Sequence, residues 1–285
     1  MTSTKHQSNS KEFKIKSDVD QLGKTIIDVN KLASKYNLKI WLGYGALLGM
    51  VREKRLLPWN NDAELGFHFE ENYHKKIIKI ADELSLLGYN VYFYSTIGCL
   101  SVKKIGVVVN LNCFWKENEF LVRPHEECVK WFNIKKWSFS HYIAHYSYWL
   151  ARSMSIHTQK ISIQKIQNST RSEIVKNILI TINRVIPKKI RTLLHNIFVS
   201  IAKKAGAKFT KTAIPSHYFD EFEKINLLGE EIIVPKKKEQ LLEYIYGKNW
   251  KIPKENWSFY DNKNKKESNI KYINESWDYK NALII

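Results

Sequence analysis

The chain has 285 residues, 44% of them hydrophobic, which suffices for one substantial core or a core with an appended lobe. Its 46 Lys and Arg against 28 Asp and Glu leave a formal net charge of +18, which favours a polyanionic partner over a neutral one. The sequence has no apolar run of about 18 residues and no apolar stretch of a secretory signal at its start, so a cytoplasmic protein is expected. Cys99, Cys113 and Cys128 are odd in number and form no C-x-x-C, which argues for reduced, mostly buried thiols.

Residues 1–16 are polar and aperiodic and are expected to form a mobile tail. Ser17 or Asp18 can then cap a helix in which Leu22, Ile26, Val29 and Ala33 recur at helical spacing, ending near Tyr36 and Asn37. Leu38, Ile40 and Leu42 alternate as in a half-buried strand, and Gly43, Gly45 and Gly49 follow within seven residues. Residues 46–51 read as a short helix, and Asp62 and Glu64 fall on a second strand. Asn72 can cap a helix with Ile77, Ile80, Ala81, Leu84 and Leu87 on one face, closed by Gly88. Residues 91–96, 99–103 and 105–114 are rich in β-branched and aromatic residues and read as strands, with turns at Gly98 and Lys104. In the last of these, Val108, Asn110, Asn112 and Phe114 share a face.

Trp131, Phe132, Trp137 and Phe139 read mainly as core or as a wall of a substrate cleft. Residues 141–211 read as helical and strongly basic, with twelve Lys or Arg and the single acid Glu173 between Lys160 and Lys211. Ile174, Ile178, Ile182 and Val185, then Ile190, Leu194, Ile197 and Ile201, keep helical spacing and predict two amphipathic helices separated at Pro187. A module over residues 215–260 closes the fold, and the Asn- and Lys-rich tail beyond it carries no structural signal.

Two constellations carry chemistry. Glycines beside a helix start let backbone N–H groups approach a phosphate, and Asp62 and Glu64, two apart on a strand, project from one face and can converge on a hard cation. Separately, His125-x2-Cys128 followed by His141-x3-His145 has the spacing of a four-ligand zinc module. With one thiol among nine histidines in the chain, surface and core-edge histidines are the plainer reading.

Gly43-Tyr44-Gly45-Ala46-Leu47-Leu48-Gly49-Met50-Val51-Arg52 and Leu57-Pro58-Trp59-Asn60-Asn61-Asp62-Ala63-Glu64 together resemble the signature of the LicD and fukutin family of phosphotransferases, G-x-L-L-G-x-x-R followed by P-W-D-D-D-x-D. Downstream, Leu228-Gly229-Glu230-Glu231-Ile232-Ile233-Val234-Pro235 and Tyr244-Ile245-Tyr246-Gly247-Lys248-Asn249-Trp250 resemble that family's closing F-x-G-x-x-x-x-V-P and L-x-x-x-Y-G-x-x-W. The resemblance covers about residues 20–114 and 215–257. It implies an α+β, nucleotidyltransferase-like mixed sheet flanked by helices, here with a basic helical insertion. The expected division is a tail over 1–16, a catalytic core over 17–137, the basic helical segment over 138–213 and the rest of the catalytic domain over 214–285.

By the same resemblance Asp62 and Glu64 would be catalytic and would hold Mg²⁺ or Mn²⁺. Gly45, Leu48, Gly49, Arg52 and Trp59 would meet the substrate, with Arg52 the phosphate clamp and Trp59 equally a packing residue. Asn112, with Asn110 the alternative, would occupy the position of a further acid, and Asn60 and Asn61 stand where aspartates are usual. An amide can ligate a cation but cannot act as a general base. The implied activity is transfer of phosphocholine or a polyol phosphate from a CDP-linked donor to a sugar hydroxyl of a cell-surface glycan or its lipid-linked precursor. A catalytically inactive glycan-binding homologue is the alternative. A nucleic-acid partner has charge in its favour but no motif, and the basic helices fit an anionic membrane surface on the cytoplasmic side.

Overall fold

The computed structural model describes residues 15–125, 138–157, 185–207, 210–254 and 268–273. Its axis is strand β5 (Val107–Glu117), which is longer than the strands beside it and pairs with three of them. Along residues 108–114 it runs parallel to β2 (Asp62–His68), and on its other edge residues 107–112 run antiparallel to β4 (Cys99–Lys104). Where these partners end, residues 115–117 turn over to β6 (Phe120–His125). The sheet continues outward from β2 to β1 (Ile40–Gly43) and from β4 to β3 (Asn90–Tyr94) and the two-residue β7 (Ile156–His157). From β6 it continues to β8 (Thr210–Pro215) and β11 (Lys271–Ile273). A separate hairpin, β9 (Phe222–Leu227) and β10 (Glu230–Pro235), completes an α+β architecture.

Local chemistry dictates the tight connections. Ile105–Gly106 and Leu228–Gly229 each place two consecutive residues at positive φ, which matches a two-residue hairpin to the twist of its strands. The second of these pairs opens the downstream motif, which is therefore a hairpin: its glycine is the turn, and Val234-Pro235 ends the returning strand.

Helix α1 (Ile15–Lys35) buries Leu22, Ile26, Val29 and Ala33 completely, and α3 (Tyr73–Leu86) buries Ile77, Ile80, Ala81 and Leu84. These stripes join Ala63, Leu65 and Phe67 of β2 in the main core. The alternate residues of β2, namely Asp62, Glu64, Gly66 and His68, lie on the opposite face. There α2 (Tyr44–Arg52) leaves β1, and α6 (Lys238–Tyr246) returns to contact α2. Two helices, α4 (Phe139–Met154) and α5 (Lys188–Lys204), pack through Ala144, Ala151, Val199 and Ala202, and buried His195 donates from Nδ1 to the Ala151 carbonyl at 2.8 Å.

Several expectations need correction. Asn72 does occupy the N-cap of α3, but in the left-handed region and without a side-chain cap, and Leu87 lies beyond the helix, 53% exposed. Phe139 is 81% exposed at the start of α4 and is no core residue, whereas Trp131, Phe132 and Trp137 lie outside the described residues. Residues 141–211 are not helical throughout: β7 interrupts them and β8 leaves them to join the sheet. Pro187 does begin the second predicted helix, and the first lies outside the described residues apart from Val185. The tail is not structureless, since β11 pairs with β8.

Trp41 and Gly66 are paired across β1 and β2, and a Cβ on Gly66 would lie 2.4–2.6 Å from the indole. The indole cannot withdraw, because it is wedged among His68, Phe114, Phe219 and Phe222 at ring separations of 4.8–5.6 Å. Gly66→Ala is therefore expected to cost about 1–3 kcal/mol, the usual range for overpacking, read as a lower urea midpoint with an unchanged slope.

Candidate functional site

The polar face of β2 is assembled by register. Glu64 stands opposite Gly43 of β1 on one side and Asn110 of β5 on the other, with Asn112 two pairs further along, opposite Gly66. Both amides turn toward the carboxylate: Asn110 Nδ2 donates to Glu64 Oε1 at 3.3 Å, and Asn112 Nδ2 donates to Oε2. Arg123, brought in by β6, donates from Nη1 to the same Oε2 at 2.9 Å. Its side chain is 13% exposed, and its guanidinium lies over the rings of Tyr44 at 5.1 Å and Phe114 at 5.6 Å. Burial alone would lower the pKa of Arg123, but the neighbouring Tyr44 and Glu64 outweigh it and hold the group above its ordinary value.

Asp62 lies two residues before Glu64 on the same face, exposed at the head of the strand. Its carboxyl is raised above the ordinary value, first by the protein that displaces water around it and then by the charge of Glu64. Tyr44, the first residue of α2, holds φ at +48°, a conformation that bulky residues rarely adopt and that marks backbone strain at a functional turn. This kink starts α2 immediately after the residue paired with Glu64. From the other end of the chain comes Tyr246. It is buried, and its hydroxyl is raised by burial and then by the fields of Tyr44, Asp62 and Glu64, while Arg52 opposes them.

The sequence-predicted residues separate into two groups. Asp62, Glu64 and Asn112 share one face, with Asn110 as a second amide on it. Gly45 faces the same region: a Cβ there would come within 2.6 Å of Asn60 Nδ2, so glycine leaves room for that amide over the first turn of α2. Leu48 and Gly49 face inward. Leu48 is core, and a Cβ on Gly49 would meet the Arg55 carbonyl at 2.6 Å. Arg52, 11% exposed, donates to Glu53 at 2.7 Å and to the Trp250 carbonyl at 3.4 Å, so it clasps the end of α2 to the downstream motif. Trp59 is 57% exposed and packs in no core.

Arg123 escaped sequence reasoning, though a signal existed: it follows buried Leu121 and Val122 within a strand, where a charge demands a partner. Tyr44 and Tyr246 stand within the two motif segments, at positions to which the resemblance assigns no role.

The donor set does not fit divalent cations held by a cluster of carboxylates. Both oxygens of Glu64 already accept from cationic or amide donors, and the position of the further acid is a neutral amide whose nitrogen is turned to that carboxylate. Among the described residues no group of three His, Cys, Asp or Glu is placed to hold a metal ion. As for zinc, His141 Nδ1 accepts from the Ser138 backbone N–H at 3.0 Å as part of a capping box. Burial lowers the pKa of His145, and Cys128 and the side chain of His125 lie outside the described residues. Among the described residues no helix is long and apolar enough to cross a membrane.

Residues 37–165 match the family model described as LicD/FKTN/FKRP, nucleotidyltransferase domain. An uncharacterized protein of Rickettsia prowazekii (strain Madrid E) is 33% identical over 66 residues, 23% of this chain and 24% of that protein. One of Rickettsia typhi (strain ATCC VR-144 / Wilmington) is 33% identical over 64 residues, 22% and 20% of the two chains. The matches thus span about a quarter or less of these curated relatives. The solution structure of the antibiotic-resistance factor ANT(2'')-Ia aligns with 64% of this chain and 93% of its own, at 15% identity and a TM-score of 0.29.

Because its raised pKa makes ionised Asp62 unfavourable in the fold, Asp62→Asn is expected to leave the melting temperature at pH 7 unchanged or slightly higher. The two proteins should coincide below the ordinary carboxylate pKa, where both side chains are neutral, and any gap should open as pH rises. Calorimetric scans across pH check this, and a large loss of stability in the variant would make Asp62 a structural residue.

Proposed function

We propose, on the premise that this chain belongs through residues 37–165 to the LicD/FKTN/FKRP nucleotidyltransferase-domain family, that it transfers a phosphate-ester head from a CDP-linked donor to a sugar hydroxyl. Phosphocholine or a polyol phosphate is the head group, and a cell-surface glycan or its lipid-linked precursor carries the hydroxyl. The observation that supports this best is the placement of Asp62 and Glu64 on one face beside the start of α2, with Tyr246 returning to meet them.

In this reading the donor's phosphates lie against the first turn of α2, whose N–H groups have no partner within the helix. Asp62 is the carboxylate not bound by Arg123, and it takes the proton from the acceptor hydroxyl. The hydroxyl oxygen bonds to the donor's head-group phosphorus, the bond from that phosphorus to the bridging oxygen breaks, and CMP leaves with the electron pair. Phosphoryl transfer asks mainly for such positioning and charge placement.

A second reading, a catalytically inactive glycan-binding homologue, is favoured by one specific observation: both oxygens of Glu64 are already engaged, by Arg123 and two amides.

The packed pair of α4 and α5 supports an anionic membrane surface as further partner. Small residues of α4 and α5 face inward, while Phe139, Tyr142 and Tyr146 of α4 and Ile190, Leu193, Ile197 and Ile201 of α5 are exposed at helical spacing. Neither helix has an acidic residue, and α5 begins at Lys188, Lys189 and Arg191 and ends at Lys203 and Lys204. Apolar faces bordered by basic side chains gain both from the acyl boundary and from anionic headgroups, at about 1 kcal/mol per basic residue near the surface.

Two experiments follow. CMP release is measured from CDP-choline, CDP-ribitol and CDP-glycerol, with a sugar acceptor, in the presence of Mg²⁺ and of EDTA. Release from one donor, reduced about 10²-fold or more in Asp62→Asn, is expected; sugar binding with no release from any donor would establish the second reading. In liposome flotation the protein should rise with anionic but not neutral vesicles, less so in high salt and not at all when Lys188, Lys189 and Arg191 are changed to Glu. Equal recovery in the soluble fraction with both lipids would remove the membrane partner.

A further inference from the structure

We infer that Arg123 is a built-in replacement for a divalent cation at this site: its guanidinium neutralises Glu64 in place of a metal, so the resting protein does not bind Mg²⁺ or Mn²⁺ there. The inference deepens the transferase reading and rests on it only in assigning the polar face of β2 as the site.

The geometry is specific. A carboxylate oxygen that ligates Mg²⁺ needs the ion at about 2.0–2.1 Å, yet Glu64 Oε2 already accepts from Arg123 Nη1 at 2.9 Å and from the Asn112 amide. Its other oxygen accepts from Asn110. An ion at Oε2 would have to displace at least one of two donors already on that oxygen, and it would stand beside a guanidinium of like charge.

Arg123 is poorly placed to give way. It is largely buried, within 5.1 Å of the Tyr44 ring and 5.6 Å of the Phe114 ring, and departure would strip a buried cation of the carboxylate that compensates it. The amides complete the exchange. Aspartate at Asn112 would add a second negative charge facing Arg123 and Glu64, and would then call for a cation. The neutral amide instead donates a hydrogen bond to the existing carboxylate. One carboxylate, one guanidinium and two amides form a site neutral overall, with Asp62 left outside the pair.

The test is direct metal binding, read without turnover. Full-length protein is titrated with Mn²⁺ and followed by electron paramagnetic resonance, with melting temperatures recorded in millimolar Mg²⁺ and Mn²⁺. Wild type should show no saturable Mn²⁺ site dependent on Asp62 and no metal-induced shift. Arg123→Met combined with Asn112→Asp, which removes the guanidinium and restores a carboxylate, should gain a saturable site at least tenfold tighter than any wild-type binding and a melting temperature that rises with metal. Arg123→Lys, which keeps a cation, should behave as wild type. Stoichiometric Mn²⁺ binding by wild type that disappears in Asp62→Asn would overturn the inference, and that measurement decides even where the double variant fails to fold. The outcome is separable from the function assay: absence of CMP release with and without metal defeats the transferase reading and leaves the binding result standing.

Discussion

The parallel pairing of β2 with β5 is the constraint on which the rest depends. It aligns Asp62–His68 with Val108–Phe114, so that one register places Glu64 beside Asn110 and Gly66 beside Asn112. A slip by one residue would send every polar group of both strands into the core formed with α1 and α3, and bring Ala63, Leu65 and Phe67 to the surface. The site and the core are thus two faces of a single alignment. The length of β5 adds the remaining part, because the residues that run past β2 and β4 recruit β6 and, with it, Arg123.

Much of this arrangement was legible in the sequence where a periodic pattern reported burial. The stripes Leu22–Ala33 and Ile77–Leu84, the β-branched runs and the turn glycines follow from local chemistry, and the shared face of Asp62 and Glu64 follows from the two-residue period of a strand. Motif resemblance likewise joined the early and late segments, which the fold brings together at Tyr246 and Arg52. What could not be read was pairing over distance. Nothing local tells that Arg123 will reach Glu64 across fifty-nine positions, or that Lys271–Ile273 will find β8. Phe139 misled for a related reason: an aromatic residue reads as core by composition, yet its helix packs through Ala144 and Ala151 and leaves Phe139, Tyr142 and Tyr146 exposed.

The charge arrangement also separates the roles of two arginines that look alike in sequence. Arg52 carries the motif position but is turned to Glu53 and a carbonyl, serving as a clasp between α2 and the downstream segment. Arg123 has no motif to announce it, and it carries the positive charge that the polar face contains.

The clasp has a temporal consequence. The Trp250 carbonyl that Arg52 holds is 198 residues away along the chain, and Tyr246 and the hairpin at Leu228–Gly229 are nearly as remote from the strands they complete. Closing so long a loop is a slow event in folding, and during synthesis the first half of the site emerges well before the second. Residues 40–68, which form β1, α2 and β2, are therefore synthesised long before residues 228–250, which supply the hairpin, Tyr246 and the Trp250 carbonyl to their surroundings.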